Sequence, residues 1–150
     1  MNILLLSHGN LACELLDSAR KIAGDLPEFT ALCLSWGDSP EAAAEKLSQA
    51  LEAGRQDGWG SLILVDVYGS TPFRTAQGFQ RPGEVEIVTG VNLPMVVRLG
   101  CLAGKQLSLE ETADLLVVKG QKSICRAQAP GTENANGKDV DIPTGLEPCS

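Results

Sequence analysis

Asn2-Ile3-Leu4-Leu5-Leu6 is an unbroken aliphatic run that stops on Ser7-His8-Gly9. With no polar alternation, such a run suits a strand buried on both faces, the kind found in parallel sheets covered by helices. Downstream, Leu11, Leu15, Ala19 and Ile22 recur at helical spacing up to Gly24, a C-terminal stop. A strand that runs straight into a helix is the first half of a βαβ unit, and the rest of the chain repeats that alternation.

Phe29 to Leu34 reads as the second strand. Ser39-Pro40-Glu41 then supplies an N-cap, a first-turn proline and an early acidic residue for an alanine-rich helix reaching Ala53 and Gly54. Ser61 to Asp66 is the third strand, and Val67-Tyr68-Gly69-Ser70-Thr71-Pro72-Phe73 a tight turn in which Thr71 can cap a helix and Pro72 fits its first turn. Val85 to Thr89 is the fourth strand, and Gly90-Val91-Asn92-Leu93-Pro94 leads into a helix over Met95 to Leu102. Ser108 and Glu111 form a capping box that opens a last helix running to Val118 or beyond. The fold class is therefore α/β: an open, mostly parallel sheet with helices on both faces and its site at the strand ends. The folded domain spans residues 1–126. Residues 127–150, rich in Pro, Gly and Asn and poor in apolar side chains, read as a flexible tail or linker remnant that carries Cys149.

The chain has 150 residues, 43% hydrophobic and 21% charged, enough for one domain with its own core. A net charge of -7 argues against nucleic acid, whose phosphates need a basic face. No apolar run approaches the roughly 20 residues that span a bilayer, and Ile3 to Leu6 lacks the basic flank and length of a signal peptide. The reading is cytoplasmic. The five cysteines are irregularly spaced, with no CxxC pair and one histidine in the chain, so no zinc site is expected. Cys13, Cys33, Cys101 and Cys125 read as small core or near-surface residues.

In an open parallel sheet, reacting groups gather beyond the carboxyl ends of the strands. Three polar turns fall there: Ser7-His8-Gly9, Asp66 to Thr71, and Gly90 to Asn92. His8 follows strand one, and Gly9 lets a bulky partner approach the backbone. A histidine that accepts a phosphoryl group needs one ring nitrogen bare and the other held by an acceptor that fixes the tautomer. Asp66, at the matching end of strand three, is the candidate acceptor, orienting the ring and favouring its cationic form. Gly69, Ser70 and Thr71 offer backbone N–H groups and two hydroxyls to phosphoryl oxygens, a design that needs no metal or cofactor. Bland readings stand beside these: His8 and Asp66 as a structural hydrogen bond, Ser70-Thr71-Pro72 as a plain helix start, Asn92 as a cap.

An aliphatic strand ending in His-Gly, then Leu64-Val65-Asp66-Val67-Tyr68-Gly69-Ser70-Thr71-Pro72-Phe73, then Thr89-Gly90-Val91-Asn92-Leu93-Pro94-Met95, resembles the IIA component of the mannose/fructose/sorbose family of the bacterial sugar phosphotransferase system, over residues 1–125. The resemblance implies a phosphotransferase component that takes a phosphoryl group from the carrier HPr onto His8, as a tele-phosphohistidine, and passes it to EIIB. It implies Asp66 as the partner of the histidine and Gly69, Ser70 and Thr71 as the phosphate-binding turn, Thr71 replacing the commoner serine. It also implies a homodimer with an exchanged strand, and indirect association with membrane subunits EIIC and EIID, peripheral to the inner face of the membrane. Gly9, Asn10, Tyr68 and Asn92 would form the rim. Asn10 stands where an aromatic residue can follow His-Gly, and Tyr68 replaces a tryptophan; both bear on partner affinity or sugar class. Sugar choice rests with the membrane subunits. Alternatives are a regulatory module phosphorylated by the same relay and a His-Gly chelatase. A histidine phosphatase would need an arginine before His-Gly and a second histidine, and the chain has neither.

Overall fold

A computed structural model describes residues 1–54, 58, 60–102 and 106–127. The expected tail, with Cys149, lies outside the described residues. The elements run β1 (Asn2–His8), α1 (Leu11–Ala23), β2 (Phe29–Leu34), α2 (Pro40–Ala53), β3 (Ser61–Val65), α3 (Thr71–Gln77), β4 (Val85–Thr89), α4 (Leu93–Gly100) and α5 (Leu109–Lys122). The four strands form one sheet in the order β2-β1-β3-β4, every pair parallel. The α/β expectation holds.

Period-two alternation divides each buried strand between two apolar layers. Ile3, Leu5, Leu62, Leu64 and Val88 face α1, α4 and α5 through Leu16, Val96 and Leu116. Leu4, Leu6, Ile63 and Val65 face the opposite way, onto Ala43 and Leu47 of α2 and Ala76 of α3. A strand apolar on both faces is thus what the central positions of a sheet between two helical layers demand, and β1 and β3 fill them.

Local signals set the element ends. Ser39 caps α2 by accepting the Ala42 N–H at 3.1 Å, and Ser108 and Glu111 close a reciprocal capping box at α5. At α3 the cap is Ser70, whose Oγ accepts the Phe73 N–H, and not Thr71, which is the first helical residue. Pro72 therefore occupies the second helical position rather than the first, which moves the cap one residue earlier. Likewise Asn92 caps α4 by accepting the Met95 N–H at 3.1 Å, so this helix starts at Leu93 and ends at Gly100, earlier than the expected Met95 to Leu102. β1 continues to His8 because it stays in register with β2 through the pair His8 and Leu34.

The reading of Cys13, Cys33, Cys101 and Cys125 as small core or near-surface residues does not include a disulfide. Cys13 and Cys33 are disulfide-bonded, with Cα atoms 6.7 Å apart, where α1 packs over the end of β2. Cys125 is a free, exposed thiol. No helix among the described residues is long and apolar enough to cross a membrane.

Candidate functional site

The strand order puts the topological switch between β1 and β3: the chain leaves β1 towards β2 on one side and returns to β3 on the other. The connections therefore leave the carboxyl ends of these two strands in opposite directions, and strand ends so placed are the usual ligand position of such sheets. His8 is the last residue of β1 and Asp66 the first after β3, so topology alone brings together residues 58 positions apart.

Asp66 is tied down from several sides. Its Oδ2 accepts the His8 backbone N–H at 2.9 Å and lies 2.8 Å from His8 Nδ1, while its Oδ1 accepts the Val67 N–H at 2.7 Å and, at a long 3.4 Å, the Ser70 hydroxyl. Burial pushes the carboxyl up. The hydrogen bonds from the His8 backbone and ring and from Val67 outweigh that burial and hold it below the ordinary carboxylate range. The side chain is 6% exposed, so the ionised group is committed to these donors. An ionised Asp66 can only accept, so in the neutral imidazole the contact assigns the ring proton to His8 Nδ1 and the lone pair to Nε2.

Ser7, fully buried, joins the strand end to α1: its Oγ accepts the Ala12 N–H at 2.7 Å. That bond replaces a side-chain cap, since Asn10 at the N-cap position makes none. Gly9 takes φ +51°, which lets the chain turn immediately after the histidine.

On the other wall, Gly69 at φ +77° turns the chain towards α3. Among the described residues, neither the N–H of Gly69 nor that of Thr71 meets a protein acceptor, and Thr71 is exposed. Ser70 joins this turn to the pair through Asp66 Oδ1. Of the predicted residues, His8, Asp66 and Ser70 are thus brought into one hydrogen-bonded unit, with Gly69 and Thr71 beside it. Tyr68 is 76% exposed and tilted against Phe73, with ring centroids 4.7 Å apart, and Asn10 is exposed at the start of α1. Asn92 uses its side-chain oxygen to cap α4 and makes no hydrogen bond to His8 or Asp66.

Trp36 is the residue that the sequence reading missed. It lies in the turn between β2 and α2 and stacks on the His8 ring, with centroids 4.7 Å apart and planes 18° from parallel. Neither periodicity nor a motif singles it out; the signal is its place, two residues past the strand that pairs with β1. Among the described residues, no cluster of three or more His, Cys, Asp or Glu side chains is placed to hold a metal ion.

Fold and site together define a parallel α/β domain that presents one carboxylate-oriented imidazole at the switch point of its sheet. The chain belongs to the mannose-type EIIA family of the phosphotransferase system: the family model described as the PTS system fructose IIA component matches residues 2–117. It is 29% identical over 134 residues to the mannose-specific EIIAB component of Escherichia coli K12, covering 89% of this chain and 41% of that protein. It therefore spans about two fifths of that relative's length. The fructose-specific EIIA component of Bacillus subtilis is 26% identical, over 91% of this chain and 94% of its own length. The mannose/sorbose-specific IIA subunit from Enterococcus faecalis superimposes with a TM-score of 0.77 at 25% identity, covering 88% of this chain and 98% of that one.

Proposed function

We propose that this chain is a cytoplasmic phosphoryl carrier in sugar uptake, taking a phosphoryl group from phospho-HPr onto His8 Nε2 and passing it to EIIB. The observation that carries the reading is the 2.8 Å contact of His8 Nδ1 with Asp66 Oδ2, which leaves Nε2 as the bare nitrogen. In the transfer, the P–N bond of the donor histidine breaks as the P–Nε2 bond forms, and the donor imidazole leaves. The His8 ring keeps its Nδ1 proton and becomes cationic, which the Asp66 carboxylate favours without taking the proton. The turn amides of Gly69 and Thr71, with the hydroxyls of Ser70 and Thr71, serve the three equatorial oxygens.

Transfer between proteins needs an open face, and the surroundings of His8 supply one: Trp36, Val67, Tyr68 and Leu11 are exposed apolar side chains near the strand ends. HPr and EIIB would dock there in turn, Gly9 and Asn10 lying within the contact and Asn92 at its margin. EIIC and EIID, which carry the sugar across the membrane, would be reached only through EIIB.

Beyond the antiparallel bridge of Val85 to Arg81, the outer edge of β4 pairs with no strand among the described residues, and Ile124 beyond α5 is 80% exposed. An open parallel edge favours covering by another chain, which supports a homodimer closed by strand exchange.

The test is incubation with phosphoenolpyruvate, enzyme I and HPr, with intact mass read before and after mild acid. One acid-labile phosphoryl group, absent from His8→Ala, is the expected result. A wild-type protein left unmodified by competent partners would refute the carrier role.

A further inference from the structure

Trp36 is 84% exposed and so gains little from burial, yet its turn is firmly built. The Ser35 N–H donates to Asp38 Oδ2 at 2.9 Å, and the Asp38 N–H returns to the Ser35 carbonyl at 3.1 Å. Lys46 of α2 holds both Asp38 oxygens, at 2.9 and 2.7 Å. Below the turn, the Gly9 N–H donates to the Leu34 carbonyl at 2.9 Å, so the start of the turn and the residue after His8 are fixed to each other. A Cβ at Gly9 would lie 3.8 Å from Trp36 Nε1, which places the indole over the Gly9 backbone as well as over the imidazole.

The imidazole is therefore constrained twice. Asp66 fixes its Nδ1 edge, and the indole lies along one face, nearly parallel. Nε2, on the edge away from Asp66, takes part in no hydrogen bond among the described residues. We propose that Trp36 is a positioning residue for phosphoryl transfer: its indole holds the plane of the His8 ring and stabilises the cation that the ring becomes once phosphorus is bound to Nε2. An indole is the strongest side-chain partner for a cation over its face, and the gain grows as charge develops on the ring. Asn10, polar and exposed at the start of α1, cannot supply such a face, and Trp36 supplies it from the turn after the neighbouring strand. The proposal rests on the carrier reading of His8.

The test separates positioning from docking by using a donor with no protein surface. Phosphoramidate, as its zwitterionic monoanion, gives its phosphoryl group to Nε2: the P–N bond of the donor breaks, the P–Nε2 bond forms, and ammonia leaves with the donor's own protons. Wild type, Trp36→Ala and Trp36→Phe are compared for the rate of this modification and, after removal of donor, for the rate of loss of the phosphoryl group to water. At an exposed site the lost cation–π contact corresponds to about a two- to fivefold shift in all, divided between a slower gain and a faster loss in Trp36→Ala, with Trp36→Phe recovering much of it. Circular dichroism confirms that the variants keep the fold, as expected for a side chain this exposed. Unchanged partner-free rates in Trp36→Ala, with only transfer from phospho-HPr impaired, would overturn the proposal and leave Trp36 as a docking residue. A wild-type protein that neither donor modifies would instead refute the carrier reading, and this proposal with it.

Discussion

Replacing Asp66 by Asn removes one acceptor oxygen and the charge while keeping the shape. The carboxylate serves two donors on Oδ2, the His8 backbone N–H at 2.9 Å and the ring at 2.8 Å, and on Oδ1 the Val67 N–H at 2.7 Å. An amide can turn its oxygen to one side only. With the oxygen towards His8, the NH2 group meets the Val67 N–H, donor against donor. With the NH2 group towards His8, the ring must move its proton to Nε2, and the nitrogen that attacks phosphorus loses its lone pair. Either way the charge that favours imidazolium is gone. A hydrogen bond to a charged group contributes about 1.5–3 kcal/mol, which corresponds to transfer slowed roughly 10- to 150-fold if it acts fully in the transition state. The assay is rapid-quench measurement of phosphoryl transfer from phospho-HPr to Asp66→Asn, and from the phosphorylated variant to EIIB, with the fold checked by circular dichroism. Wild-type rates in both directions would refute the reasoning and reduce the pair to a structural hydrogen bond.

Three further outcomes follow from the same geometry. The Asp66 carboxyl lies below its unfolded value of about 3.9, so its contribution to stability is fully present above that pH and is lost as pH falls through the lower folded value. Denaturant titrations should show a constant gap between wild type and Asp66→Asn near neutrality that closes on acidification below about pH 4; a gap that widens there would contradict the sign. Ser7→Ala removes the bond to the Ala12 N–H that starts α1 and should cost about 0.5–2 kcal/mol of unfolding free energy, read as a lower urea midpoint at unchanged slope. Thr71→Val should leave the melting temperature almost unchanged, because Ser70 and not Thr71 caps α3, while slowing phosphoryl acceptance several-fold; a large loss of stability with normal transfer would reverse these roles.

Much of the fold was legible because a few residues speak unambiguously. Leu4, Leu5 and Leu6 allow only a strand buried on both faces, and Ser39-Pro40 and Ser108 with Glu111 announce helix starts that the structure reproduces. Element ends were harder where several residues could play the same part. Ser70 and Thr71 both precede Pro72 and both can cap, and only the geometry of the turn decides between them. The pairing of His8 with Asp66 was legible because both stand at the carboxyl ends of strands expected in one parallel sheet. Trp36 was not, since its contact with His8 depends on β2 lying beside β1 and on the turn that Asp38 and Lys46 build. The Cys13–Cys33 bond was hidden for the same reason: 20 residues of sequence separate partners that only the packing of α1 against β2 brings together.

The central claim is that His8 carries phosphorus on Nε2 while Nδ1 keeps its proton against Asp66. Long-range nitrogen–proton NMR of the histidine-labelled, phosphorylated protein reads this directly. The account predicts phosphorus coupling at Nε2 and a protonated Nδ1. Phosphorus on Nδ1, or on a residue other than His8, would contradict it.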